Sequence, residues 1–284
     1  MDDLWFSEYH TPDVRFSIRV TRQLWQENSD YQSIAVYDSP TFGRFLTLDG
    51  ALMLTQRDEF IYHEMIVHVP MAVNPDIRDV LVIGAGDGGV ARELSRYPGL
   101  HTINVAEIDR RVVEVCKEFL PSTAQGFDDP RVTLHFTDGL KFVRHTQKRY
   151  DLIIVDSTDP AGPGEVLFTR EFYGSCLAAL NPRGILVNQH ESPFYPEDAR
   201  AMQSAHRRIS DVFPVSKVYQ AHIPTYPSGH WLFGFASKGF DPITDLNDGA
   251  WQALGIPTRY YRPAVHRGAF ALPAYVEELL QSNE

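Results

Sequence analysis

The chain has 284 residues, 43% of them hydrophobic and 22% charged, ordinary proportions for a globular protein with one well-cored domain and room for a smaller one. Its net charge of −11, from 26 basic and 37 acidic residues, argues against nucleic acid and favours cationic partners. No apolar run reaches the roughly 18 residues of a membrane span, so no membrane partner is expected.

The first segment, MDDLWFSEYHTPD, is acidic and lacks the basic-then-apolar order of a secretory leader. Strands follow. Phe16, Ile18 and Val20 alternate with Ser17 and Arg19, and Ile34 and Val36 keep the same period of two. In RFLTLDGALMLT two apolar runs flank Asp49-Gly50, the signature of a type I′ hairpin. Residues 1–57 therefore read as a small antiparallel β-domain.

From residue 58 to 284 the pattern is α/β. DEFIYHEMIVHVPM spaces Ile61, Met65 and Val69 four apart, which predicts a helix. Then come seven apolar runs: DVLVIG, TINVAEI, VTLHF, YDLIIVD, GILVNQ, SKVYQAHI and HWLFGFAS. The first five lie between helical stretches, which predicts a parallel sheet covered by helices. Only PTYPSG separates the last two, so they should pair as an antiparallel hairpin at the sheet's end. FALPAYVEELL predicts a short surface helix after Pro273. Cys116 and Cys176, the two cysteines, fall on predicted helices and read as reduced packing residues. A cytoplasmic protein is expected.

Ligands of an open parallel sheet bind at the carboxyl ends of its strands. Four consecutive strands deliver carboxylates there. Gly84-Ala85-Gly86-Asp87-Gly88-Gly89 follows the first, Glu107 and Asp109 end the second, Asp138-Gly139 closes the third, and Asp156 ends the fourth with Asp159 after it. The glycine loop suits dinucleotide and adenosylmethionine enzymes alike. Glu107, 18 positions after Gly89, suits a ribose diol; the plainer reading is an exposed strand-end acid. Asp138-Gly139 could meet an adenine amino group or simply end a strand. Asp87 is more telling. A carboxylate in that loop repels a pyrophosphate, and equally the carboxylate of S-adenosylmethionine, but attracts an ammonium. Asp156 and Asp159 flank a turn with Pro160, Gly162 and Pro163 and could be turn residues, yet both stand in the same constellation as Asp87. No metal-ligand spacing emerges. The residues alone lead to an adenosyl-cofactor enzyme with a cationic substrate.

The chain resembles the spermidine synthases. The resemblance is carried by LWFSE, YQSIAVYDS, LTLDGALMLTQRDEFIYHEM, VIGAGDGG, VDSTDPAGPGEVLFTREFY, IPTYPSGHW and VHRGAFALP, in order, from near the first residue to the last helix. It implies a β-domain before a methyltransferase-like Rossmann domain, a homodimer or homotetramer, and no metal or cofactor, with decarboxylated S-adenosylmethionine as co-substrate. By resemblance, Gln32, Asp87, Glu107, Asp138, Gly139 and Pro163 bind the donor. Asp156 is the general base. Tyr62, His63, Asp156, Asp159 and Tyr226 line the diamine channel, and Trp5 closes its far end. Gln189 and Glu191, in NQHESPFY, are placed to meet the distal amine, though this segment departs from the family's usual pattern. The plainer readings are a surface-helix histidine for His63 and core aromatics for Tyr62 and Tyr226. Putrescine is the expected acceptor, with cadaverine, agmatine or spermidine as alternatives. A methyltransferase, a noncatalytic polyamine or nucleoside binder, and a nicotinamide dehydrogenase are the competing classes.

Overall fold

The computed structural model describes residues 4–157 and 166–282. Asp159 and Pro163, with Pro160 and Gly162, lie outside the described residues.

Six strands come first: β1 (Leu4–Thr11), β2 (Val14–Val20), β3 (Arg22–Asn28), β4 (Ser33–Ser39), β5 (Gly43–Leu48) and β6 (Ala51–Thr55). β1 and β2 form a two-stranded sheet, and β3-β4-β5-β6 a four-stranded one. All pairs are antiparallel. At the β5–β6 turn Asp49 and Gly50 have φ of 50° and 82°, the two positive values that a type I′ turn requires.

The remaining elements are α1 (Glu59–Val73), β7 (Asp79–Gly84), α2 (Gly89–Ser95), β8 (Thr102–Glu107), α3 (Arg110–Phe119), α4 (Pro121–Ala124), β9 (Val132–Phe136), α5 (Gly139–His145), β10 (Tyr150–Asp156), α6 (Arg170–Ala179), β11 (Leu180–Gln189), α7 (Pro196–Ser210), β12 (Val215–His222), β13 (His230–Ser237), α8 (Asp248–Ala253), α9 (Pro263–Ala269) and α10 (Ala274–Gln281). All seven apolar runs are strands of one sheet, in the order β12-β13-β11-β10-β7-β8-β9. β13 runs antiparallel to both its neighbours; the pairs from β11 to β9 are parallel. This is the methyltransferase-like Rossmann arrangement with its antiparallel end hairpin. Strand order reverses between β7 and β10, and such a switch point opens a crevice at the strands' carboxyl ends. There Asp156 stands in register with Gly84.

The core has two main layers. One joins α1, α2 and α3 to one face of the sheet and to β4–β6. The other packs α6 and α7 on the opposite face. Cys116 and Cys176 are fully buried. Among the described residues no helix is long and apolar enough to cross a membrane.

Helix α1 forms where the spacing of four predicts it, and every residue from Ile61 to Val73 is buried, because the helix lies between the β-domain, the large sheet and α2. Its polar residues must therefore find partners within the protein. Asp58, at the N-cap, accepts from the Thr55 hydroxyl at 2.6 Å and the Thr225 hydroxyl at 2.7 Å. Glu64 accepts three backbone N–H bonds, from Arg259, Tyr260 and Tyr261, at 2.7–2.8 Å. That carboxylate is one anchor of the C-terminal segment, beside Gln220 Nε2 donating to the Ala271 carbonyl and the buried Val276.

Removing the Glu64 carboxylate would strand three amides. Glu64→Leu should lower unfolding free energy by at least about 3 kcal/mol, since bonds to charged groups contribute about 1.5–3 kcal/mol each. Calorimetric Tm and denaturant midpoints would measure it; a loss below about 1 kcal/mol would show that the segment is held by other contacts.

Candidate active site

A cavity of about 370 Å³ opens at the switch point. Its floor comes from the β7–α2 loop and the ends of β8 and β10, one wall from α1, and its roof from the β-domain. The loop is built for close approach. At Gly84, with φ of 84°, a Cβ would sit 2.1 Å from the carbonyl oxygen of Asp156. Only glycine lets the two strand ends come this near.

Of the expected site residues within the described part of the chain, all but Trp5 line this cavity: Gln32, Tyr62, His63, Asp87, Glu107, Asp138, Gly139, Asp156, Gln189, Glu191 and Tyr226. Their partners refine the expectations. The Tyr62 hydroxyl donates to Asp156 Oδ1 at 2.5 Å. Burial raises the pKa of Asp156 to about 6, the charge of Asp87 adds to this, and His63 and Tyr62 oppose it. Asp87 Oδ1 accepts the Gly89 N–H at 2.7 Å and lies 3.2 Å from His63 Nε2. The amide that could bind an anion is thus taken by the chain's own carboxylate. Burial would raise Asp87, but His63, the Gly89 amide and Arg92 outweigh it and hold its pKa low.

His63 is not a surface histidine; it is 3% exposed. Its Nδ1 meets Glu59 Oε2 at 2.5 Å and its Nε2 meets Asp87. Burial lowers its pKa, yet Asp87 and Glu59 together raise it to about 10. His63, Asp87 and Asp156 offer ligand atoms within 4.8 Å of one another. Both imidazole nitrogens face carboxylates, Nδ1 that of Glu59 and Nε2 that of Asp87.

Glu107 is 8% exposed and accepts the Asp109 N–H at 2.7 Å. Burial, reinforced by Asp109 and Asp156, raises its pKa to about 7 despite that bond. Gln32 donates to Asp109 Oδ2 at 3.0 Å, where Ser29 also donates at 2.6 Å. Asp109 in turn caps α3 by accepting from the Arg111 N–H at 3.0 Å. Asp138 Oδ1 accepts the Lys141 N–H at 2.8 Å, so it caps α5 as well as lining the cavity. At the other end Gln189 Nε2 donates to Glu191 Oε1 at 2.9 Å, and the Glu191 N–H returns a bond to Gln189 Oε1 at 3.1 Å. Glu191 has φ of 71°, a strained value for a side-chain-bearing residue and one that gathers at functional sites. The Tyr226 hydroxyl donates to the Met53 carbonyl at 2.7 Å, and its ring lies 6.2 Å from that of Tyr62.

Trp5 is corrected. It is 54% exposed and does not line its own chain's cavity, whereas Glu8 and His10 do. Alternate residues of a strand face opposite ways, so Trp5 points away from the side shared by Phe6, Glu8 and His10. Sequence reasoning missed Glu8, His10, Asp58, Glu59 and Trp231, all of which line the cavity. For Glu59 a signal existed: it stands four residues before His63 on one helix face.

With this geometry in view, the chain can be set beside known proteins. The family described as "Spermine/spermidine synthase domain" matches residues 59–247, and "Spermidine synthase tetramerisation domain" matches residues 4–56. The polyamine aminopropyltransferase of Alkaliphilus oremlandii (strain OhILAs) is 62% identical over 282 residues, covering 99% of both chains. That of Clostridium perfringens (strain SM101 / Type A) is 62% identical over 280 residues, with the same coverage. A solved spermidine synthase in complex with the transition-state analogue AdoDATO superposes with a TM-score of 0.95 at 41% identity, over 98% of this chain and 94% of that one. The spermidine synthase of Thermotoga maritima gives 0.94 at 40% identity, over 99% and 95%. The chain belongs to the spermine/spermidine synthase family, the polyamine aminopropyltransferases, and is a transferase with the oligomer-forming N-terminal domain of that family.

Proposed function

We propose that this protein is a spermidine synthase, moving an aminopropyl group from decarboxylated S-adenosylmethionine to putrescine. The observation that carries the reading is Asp156 at the switch point: half-buried, bonded to Tyr62, and in one cavity with Asp87, Glu107 and Glu191. A cavity so rich in carboxylates suits a sulfonium donor and a diamine acceptor.

The reaction is a single displacement. The acceptor nitrogen attacks the methylene carbon beside the sulfonium. The C–N bond forms, the C–S bond breaks, and its electron pair stays on sulfur in neutral methylthioadenosine. A free alkylammonium resembles lysine, with a pKa of about 10.4, so deprotonation near neutral pH costs roughly 4–5 kcal/mol. Asp156 takes that proton. A carboxylate raised to about 6 is a better base than an ordinary one and is still ionised at pH 7. Further gain comes from alignment of two reactants in one cleft. As written, the displacement needs no cofactor; the donor is a co-substrate.

Glu107 holds the ribose hydroxyls, Gln32, Asp138 and Gly139 the methylthioadenosine part, and Asp87 the aminopropyl ammonium; the family resemblance adds Pro163 to the donor's ligands. Oδ1 of Asp87 is occupied by Gly89 and His63, and Oδ2 takes the ligand. Tyr62, His63 and Tyr226 line the diamine path, with Gln189 and Glu191 at its distal end; the family resemblance adds Asp159 to the diamine's ligands. The assembly is a homodimer or homotetramer, supported by the tetramerisation-domain match over residues 4–56.

Asp156→Asn, nearly isosteric, should cut turnover by about 10²-fold or more, within the range of acid–base groups. Near-normal single-turnover rates would overturn the base assignment. In the wild type kcat/KM should fall about tenfold per pH unit below about pH 6, because protonating Asp156 removes the base, and flatten above it. A profile still flat well below that pH would point to another group.

Asp87→Asn should narrow the preference for the decarboxylated donor over S-adenosylmethionine, measured by titration calorimetry. Equal wild-type affinity for both donors would remove this role and favour a methyltransferase.

Acceptor length follows from charge placement. One nitrogen sits by Asp156 and the other by Glu191, so a diamine that is too short leaves the distal carboxylate without an ammonium, at about 1–3 kcal/mol. Putrescine should exceed diaminopropane by at least about tenfold in kcat/KM, with cadaverine tolerated better, since a methylene mismatch is worth only about 1–3 kcal/mol. Glu191→Gln should flatten that profile in initial-rate assays. If it leaves the profile unchanged, the length selection lies elsewhere in the channel.

A further inference from the structure

Behind Asp87 the structure holds a chain of charges that the reaction as described does not use. Arg92 Nη1 and Nη2 donate to Glu59 Oε1 and Oε2, each at 2.9 Å, the parallel two-pronged pairing that fixes a carboxylate's plane. Glu59 Oε2 meets His63 Nδ1 at 2.5 Å, and His63 Nε2 faces Asp87 Oδ1 at 3.2 Å. A neutral imidazole has one donor and one acceptor nitrogen, while a carboxylate only accepts. An imidazole with an ionised carboxylate at each nitrogen must carry both protons. The ring is also sterically fixed. A Cβ at Gly89 would lie 2.2 Å from His63 Cε1, so the first residue of α2 presses directly on it.

We propose that Glu59 and Arg92 are positioning residues that hold His63 as a fixed imidazolium against Asp87, and that this charge keeps Asp156 ionised beside Asp87. The proposal rests on the reading of Asp156 as the base. The groups facing His63 are Glu59 and Tyr62 from its own helix, Asp87 from the β7–α2 loop, Arg92 of α2 through Glu59, and Asp156 of β10. Asp156 itself faces Tyr62, Asp87, His63 and Glu107. Asp87 pushes the pKa of Asp156 up and His63 pulls it down. If His63 loses its proton, only the Tyr62 hydrogen bond opposes the charge of Asp87 on Asp156. The base then stays protonated to higher pH and the rate falls near neutrality.

The test uses the full-length protein, with imidazole NMR of its 11 histidines and kcat/KM profiles from pH 5 to 9. The His63 resonance is assigned by its loss in His63→Gln. In the wild type it should keep its proton through pH 9. In Glu59→Gln its midpoint should fall from about 10 into the pH range of the acid limb, roughly three pH units or a 10³-fold loss of proton affinity. The acid limb of kcat/KM should move up by about one unit, a tenfold loss on that limb, with recovery at pH 9. Arg92→Gln should act in the same direction by less, and Glu59→Asp, which keeps the charge, should restore both readouts in part. Circular dichroism and Tm establish that each variant is folded. An unmoved His63 midpoint overturns the proposal, and so does a loss of rate that is uniform across pH. A midpoint that falls into the range of the acid limb while the limb stays unmoved also overturns it, while the base assignment is judged separately by Asp156→Asn.

Discussion

Two carboxylates that must share one cavity are the constraint on which this structure depends. Asp87 and Asp156 stand at the ends of neighbouring parallel strands, with Asp156 in register with Gly84. Like charges so placed drive one of the pair to take up a proton. A site for cationic substrates needs their charge, so simple neutralisation would defeat it. The arrangement divides the labour. Asp87 is held ionised by the Gly89 amide and His63, while Asp156 is left poised at about 6.

Helix α1 makes that division possible. It has no water-facing side through most of its length, yet it carries Glu59, Tyr62, His63, Glu64 and His68. Buried polar groups are tolerable only when each has a partner, and here each has one in a different element. Tyr62 and His63 reach β10 and the β7–α2 loop, Glu64 reaches the C-terminal segment, and His68 reaches Glu93 and Tyr97. Catalytic geometry and stability therefore share one element, and disturbing either disturbs the other.

The β-domain contributes more than an oligomer surface. Glu8 accepts the Leu52 N–H at 2.8 Å and lines the cavity. His10 meets Asp198 of α7 at 3.0 Å and packs its ring 4.4 Å from Tyr195. Gln32 and Ser29 hold Asp109 at the start of α3. The His10, Gln32 and Ser29 contacts bridge the two halves of the chain, and residues of both line the cavity.

Local signals determined a good deal by themselves. The seven strands of the large sheet were legible because strands buried on both faces read as short apolar runs. Asp49-Gly50 specified its turn because few residues accept two positive φ values. Asp87, Glu107 and Asp156 could be found because the carboxyl ends of parallel strands are where such folds bind ligands. Partner choice was decided only by the tertiary structure. Tyr62 and Asp156 lie 94 residues apart, and Arg92 and Glu59 lie 33 apart; they meet because the strand order reverses between β7 and β10 and α1 crosses that point. The same holds for His63, whose sequence context is equally that of a surface helix, for Trp5, whose face was set by the pairing of β1 with β2, and for Asp138, which proved also to cap α5. Periodicity tells which residues leave water; only packing decides which buried charges face one another, and that pairing sets their protonation.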